Sequence, residues 1–126
     1  MENLFRNEMM MKIAGVEILL RPTFENLAAM ESKMGSIAYL AFKYGAKIDL
    51  KNPDPKEMIK CAPPVTDTAM IIYYNQAVHK YTLDEILDLV LTEGSLQVGM
   101  QIIPFLLRMS AGNKNIPQAT EEEKKS

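Results

Sequence analysis

Residues 15–35 read GVEILLRPTFENLAAMESKMG, and this stretch changes its hydrophobic period in the middle. Val16, Ile18 and Leu20 alternate with Glu17, Leu19 and Arg21, which is the period of a strand. Pro22 lacks a backbone donor and biases Arg21 towards an extended conformation, so the strand is predicted to stop there. Thr23 then offers a hydroxyl to the first turn of a helix, and Glu25 puts a negative charge where the helix dipole favours it. Phe24, Leu27, Met30 or Glu31, and Met34 follow at helical spacing. Gly35 can end the helix with positive φ.

Working outward, Met10–Ala14 and Val16–Arg21 flank Gly15, which suggests a hairpin or short strand pair. A lone hairpin is marginal in water, so it must pack on the helices or on a neighbouring subunit. Downstream the chain reads as helices. Ser36 can cap one whose face is Ile37, Leu40, Ala41 and Tyr44, with Gly45 as its stop. Residues 46–53 are read as a linker or a short extended piece. Asp54-Pro55-Lys56-Glu57 combines a capping Asp, Pro at the first helical position and Glu three residues after the cap. That helix is cut short by Pro63-Pro64. Thr66 or Asp67 is expected to cap the next, running to about Lys80 with a stripe of Met70, Ile71, Tyr74 and Val78. Thr82-Leu83-Asp84-Glu85 is a second capping box, followed by Leu83, Ile86, Leu87, Val90 and Leu91 at amphipathic spacing. Gly94 ends that helix and Ser95 starts the last. The last is apolar around most of its circumference, so it is either the central core helix or is buried against a partner. Pro104 inside it predicts a kink near 100–104. The fold expected is mainly α: a small bundle of about five helices with N-terminal strands over residues 10–112. A flexible leader (1–9) precedes it and a disordered polar tail (113–126) follows.

Composition narrows the function classes. A chain of 126 residues is one domain, and a hydrophobic fraction of 48% is ample for a core. A net charge of −2 gives no basic field for nucleic acid or an acidic membrane. No apolar run approaches the roughly 18 residues of a spanning helix. The N-terminal MENLFRNEMMMK lacks the apolar core of a signal peptide. One cysteine, Cys61, cannot form an internal disulfide, which fits a reducing cytosol without proving it. The 10 methionines are read mainly as core filling, with adaptable binding surface as the other use of that side chain.

The chemistry is mostly a set of absences. One histidine, His79, rules out a multi-histidine metal site and is read as a helix-terminal cation or a solvated side chain. Cys61 follows Lys60, but no Cys–His–Asn arrangement accompanies it, and a partly buried inert thiol is the stronger reading. There is no phosphate-binding Gly-rich loop and no G-x-S-x-G elbow. Asp84, Glu85 and Asp88 lie at a helix start, where the dipole accounts for them. Tyr73-Tyr74 is read as one core and one surface ring, with a partner surface as the other use of the pair. No catalytic, cofactor-binding or metal-binding residue is assigned, and no enzyme is expected. An enzyme would have to assemble a site from Tyr73, His79 and acidic residues.

The run Arg21, Pro22, Thr23, Phe24, Glu25, Leu27, Met30, Glu31 and Gly35 resembles the opening of phage tail assembly chaperones of the gene-transfer-agent type. That family steps from a short strand through R-P-T-F-E-x-L-x-x-[ML]-E into its first helix. Tyr81-Thr82-Leu83-Asp84-Glu85-Ile86 is similar to a later step of the family, and Gly94 and the final apolar helix fall in the expected order. The leader, Tyr73-Tyr74 and Pro104 depart from its pattern. The resemblance implies a non-enzymatic chaperone in the cytoplasm of a bacterial host cell. It would hold the tail tape-measure protein soluble while the tube assembles, and would itself form a homo-oligomer. A longer frameshifted product is also known in that family. Ile102, Phe105, Leu106 and Met109 of the last helix are the expected self-association or client surface, with the core as the competing assignment. The alternative function is a small helical adaptor or regulatory protein that binds an amphipathic peptide.

Overall fold

The computed structural model describes residues 7–45 and 54–111, apart from the side chains of residues 57, 58 and 111. The leader before residue 7, the linker 46–53, the Glu57 side chain and the polar tail therefore lie outside the described residues. Two strands, β1 (Met9–Ile13) and β2 (Val16–Leu20), are followed by six helices. These are α1 (Phe24–Met34), α2 (Ile37–Gly45), α3 (Pro55–Cys61), α4 (Val65–Tyr74), α5 (Leu83–Glu93) and α6 (Ser95–Ala111). The expected fold class is what the chain adopts.

β1 and β2 form an antiparallel hairpin in which Ile13 faces Val16 and Met9 faces Leu20. Its two-residue turn is Ala14-Gly15, with φ of 51° and 84°. Both positive angles match the twist of a two-residue hairpin, and Gly15 adopts its angle without the penalty a Cβ carries. The Ala14 N–H donates to Glu93 Oε1 at 2.8 Å, which ties the turn to the end of α5. On its other side β2 meets residues 75–77. Leu20 bridges Gln76, Ala77 N–H donates to Leu19 O (2.8 Å) and Arg21 N–H donates to Asn75 O (2.7 Å). The hairpin therefore gains a third short partner and packs on the helices.

The strand-to-helix switch is built as its residues require. β2 ends at Leu20. Thr23 caps α1, its hydroxyl accepting from Asn26 N–H at 3.1 Å. Gly35 closes α1 at φ 97°, and its N–H donates to Glu31 O. Ser36 accepts from Tyr39 N–H at the start of α2 (3.0 Å). Asp54 caps α3, and Thr82 and Glu85 exchange both bonds of a capping box on α5. Gly94, at φ 117°, lets the chain turn between α5 and α6, whose axes differ by 112°.

The expectations for α4 need correction at both ends. It begins after Pro64 without any side-chain cap, so neither Thr66 nor Asp67 serves as its N-cap. It also ends at Tyr74 rather than near Lys80, because residues 75–77 turn away to pair with β2. Val78, placed on that helix's stripe by periodicity, lies beyond it and is 74% exposed. Asp67 has a different part: its carboxylate accepts a short hydrogen bond from the Tyr44 hydroxyl. Burial, and then that bond and charge, raise the Tyr44 pKa above the ordinary tyrosine range, so the phenol stays a donor well into alkaline pH. Pro104 lies inside α6 without ending it.

Every helix contributes to a core centred on α6, α3 through Cys61. Val98, Ile102, Phe105 and Leu106 of α6 are completely buried there. α2 lies closely along α6. A Cβ added at Gly45 would stand 3.0 Å from Leu107 Cδ2, so the missing side chain allows this approach. Cys61 is a free, buried thiol, as expected. Among the described residues, no single helix is long and apolar enough to cross a membrane.

Candidate functional site

The structure does not put the expected partner-binding residues together on a surface. Ile102, Phe105 and Leu106 are fully buried in the monomer, and Met109 is partly buried against the same core. Most of the large apolar side chains of α6 are taken up by its neighbours within the chain, while Leu96 stays 41% exposed and Met100, Leu107 and Met109 are partly buried. This corrects the surface assignment in favour of the core.

The resemblance motif divides differently. Arg21 ion-pairs with Glu8 (2.5 Å), Thr23 caps α1, Leu27 and Met30 pack in or against the core, and Gly35 ends the helix. Glu31 has a part that spacing did not show: Oε2 accepts from Ile37 N–H at 2.7 Å, which joins α1 to the first turn of α2. Pro22 and Glu25 serve strand termination and the helix dipole. Phe24 is the exception. It opens α1 with 85% of its surface exposed, against the expectation that it shares a packing face.

Asn26 and Gln76 carry the polar frame behind the motif, and no motif or spacing in the sequence marks either of them. Asn26 Nδ2 donates to Arg21 O (2.7 Å) and Gln76 O (3.3 Å). This orientation leaves Oδ1 to accept from His79 Nε2 at 2.9 Å, which fixes Nε2 as the protonated ring nitrogen. Gln76, 1% exposed, donates to Tyr73 O and Tyr81 O and accepts from Tyr81 N–H. His79 thus braces the loop after α4; it does not sit on a helix end, but its side chain is exposed, as the solvated reading expects. Tyr73 and Tyr74 are both half-buried, in edge contact with ring centroids 5.1 Å apart. Glu85 is engaged by the capping box. Tyr73 and His79, two of the residues an enzyme would have to combine, do adjoin, with ring centroids 6.5 Å apart in edge contact, and the hydrogen bonds around them hold the loop together. Among the described residues, no group of three or more His, Cys, Asp or Glu side chains could hold a metal ion.

The surface with binding character lies between α4 and α5. The amphipathic spacing of α5 splits in two: Ile86 and Val90 are fully buried, whereas Leu83 is 38% and Leu91 57% exposed. Leu83, Leu87 and Leu91 recur every four residues and form a leucine stripe along the helix. Across from it α4 presents Thr66, Ala69 and Met70. Together with Leu83, Asp84 and Leu87 they line a predominantly apolar groove of about 180 Å³. Met70 supplies an adaptable side chain to this lining. Periodicity places these leucines on the apolar side of the helix but does not divide them between core and solvent, because a stripe wider than one core face looks the same in sequence.

A second exposed apolar stripe lies on α2, where Tyr39 is 53% and Phe42 72% exposed. Lys43 Nζ stands 5.6 Å from the centre of the Tyr39 ring, so this stripe carries a cation at its border. Compared with known protein families, with curated proteins and with solved structures, the chain matches none at a significant level.

Proposed function

We propose that this chain is a tail assembly chaperone of a phage or prophage, acting in the cytoplasm of the bacterial host. It holds the tape-measure protein soluble by covering its apolar helical stripes, without enzymatic chemistry. The observation that carries the reading is the α4–α5 groove, with Leu83 and Leu87 along one wall and Met70 on the other, and Leu91 exposed beyond it on the same helix. A long helical client exposes side chains at i, i+3, i+4 and i+7, and such anchors enter a groove of this kind. The motif from Arg21 to Gly35 supports the same reading through its likeness to that family. So does Phe24, the one motif position occupied by an exposed aromatic ring.

The test is co-expression with a helical tape-measure protein from the same genome, followed by pull-down and light scattering. The wild-type chain is expected to yield a soluble complex with a client that is insoluble alone. The double variant Leu83→Asp, Leu91→Lys is expected to lose it. Asp in the first turn and Lys near the last both agree with the helix dipole, so the fold survives while the groove at Leu83 and the exposed stripe beyond it at Leu91 become charged. A client that stays insoluble with wild type rejects the chaperone. A complex undiminished by the double variant removes the groove from it. Capture of a short amphipathic peptide, with no effect on the tape-measure protein, favours the adaptor.

A further inference from the structure

From the free edge of β1, we infer that the chain forms a two-fold homodimer by pairing this strand with its own copy. The first observation is backbone direction. Leu19 O and Arg21 N–H are committed to residues 75–77, on the side of β2 away from β1. Backbone groups in an antiparallel pair point in or out together at facing positions. Met10 faces Leu19 and Lys12 faces Glu17, so the N–H and C=O groups of Met10 and Lys12 point to the outer edge of β1. Among the described residues no strand pairs with that edge. Such an edge is a template for another strand.

The second observation is the side-chain pattern on the same strand. Met11 and Ile13 are buried against the helices, whereas Met10 is 56% exposed and Lys12 is exposed. Glu8, Met10 and Lys12 are thus an acid, an apolar residue and a base along one face. This order is self-complementary. An antiparallel pair centred on Met10 sets Met10 against the partner's Met10. Each Glu8 then faces the partner's Lys12, and each Lys12 the partner's Glu8. Centring on Glu8 or on Lys12 sets like charges opposite each other, and centring on Met9 or Met11 puts Met10 against a charged side chain. The Met10 register alone joins every charge to its opposite, at positions where outward backbone groups bond.

The pattern continues across the sheet. Glu8 is already paired with Arg21, and Lys12 faces Glu17. In the dimer one row of charges would run Arg21, Glu8, the partner's Lys12 and the partner's Glu17, alternating in sign at each step. Between that row and its two-fold mate lies an apolar row of Leu19 and Met10 from both copies. The same face carries a shallow depression of about 440 Å³ bordered by Met10, Leu19 and Val78, so the apolar row has room to extend. Backbone bonds and the apolar row would supply the affinity, and the charges would select the register. This inference does not depend on the client or on the chaperone reading.

Light scattering of the purified full chain over a range of concentrations, without client, tests it. The expected mass is twice 14.2 kDa. Lys12→Glu and Glu8→Lys are each expected to weaken dimerisation by about tenfold or more, because each makes both charge pairs repulsive. An equimolar mixture of the two variants is expected to regain the dimer as a heterodimer. The first variant then presents an acid at both positions and the second a base at both, so every facing pair is again opposite in sign. Met10→Pro removes a donor directed only outward, so it is expected to give a monomer with an unchanged circular dichroism spectrum. A wild-type chain that stays monomeric overturns the proposal. So does an oligomer whose mass is unaffected by these variants, or a mixture that fails to reassociate.

Discussion

At the scale of single residues, Gln76 shows how much of the loop depends on one buried amide. It sits just past the end of α4 and satisfies two carbonyls and an N–H that have turned away from helical partners. Asn26 reaches the backbone of the same residue from α1 and passes the connection to His79. Removing the Gln76 side chain would leave several buried polar groups without partners, at about 1–3 kcal/mol each. Gln76→Ala is therefore expected to lower stability by about 3 kcal/mol, with a cooperative but earlier denaturant midpoint. A change under about 1 kcal/mol would mean that water replaces the amide without loss. Phe24 is the opposite case, a large apolar ring at a helix start that the fold leaves in solvent. Folding does not account for it, which is why it is read with the client surface.

At the scale of elements, the hairpin turn has room for improvement. Ala14 holds φ at 51° beside Gly15 at 84°, and a non-glycine residue adopts that angle at a cost. Asn tolerates it best among residues with a Cβ, and Asn-Gly is the preferred pair for such a turn. The backbone N–H that binds Glu93 is retained. Ala14→Asn is thus expected to raise stability by about 0.5–1 kcal/mol, read as a later thermal midpoint. No gain would show that the Glu93 tether, rather than the turn, sets the hairpin. Elements with local punctuation were also those readable from sequence. Thr23, Asp54, Thr82, Gly35 and Gly94 each act where they stand, because a cap or a positive φ is decided within a few residues. α4 was misjudged at both ends for the complementary reason. Its start has no side-chain cap, and its end is decided by pairing with a strand more than fifty residues earlier. The candidate groove was hidden in the same way: the leucines of α5 were visible, but which of them face α4, the core or solvent is a tertiary outcome.

At the scale of the whole molecule, burial distinguishes two kinds of apolar helix face. α6 has its large side chains enclosed by β1, α2, α4 and α5, and Phe105 at its centre is completely buried. The stripe of α5 is half in solvent. Sequence alone ranks α6 as the stickier helix, and the structure reverses the order of availability. This reversal has a measurable consequence. Phe105→Ala leaves a cavity that rigid neighbours cannot fill and is expected to cost about 3–5 kcal/mol. That is a large share of the roughly 5–15 kcal/mol that holds a domain of this size together. Thermal unfolding should show a strongly lowered midpoint. Any loss of client should then follow the loss of folded protein. The Leu83→Asp, Leu91→Lys variant should keep its midpoint within a few degrees, because both side chains already face water to a large extent. If instead Phe105→Ala kept its stability and the α5 variant unfolded, the assignment of core to α6 and of surface to α5 would be reversed.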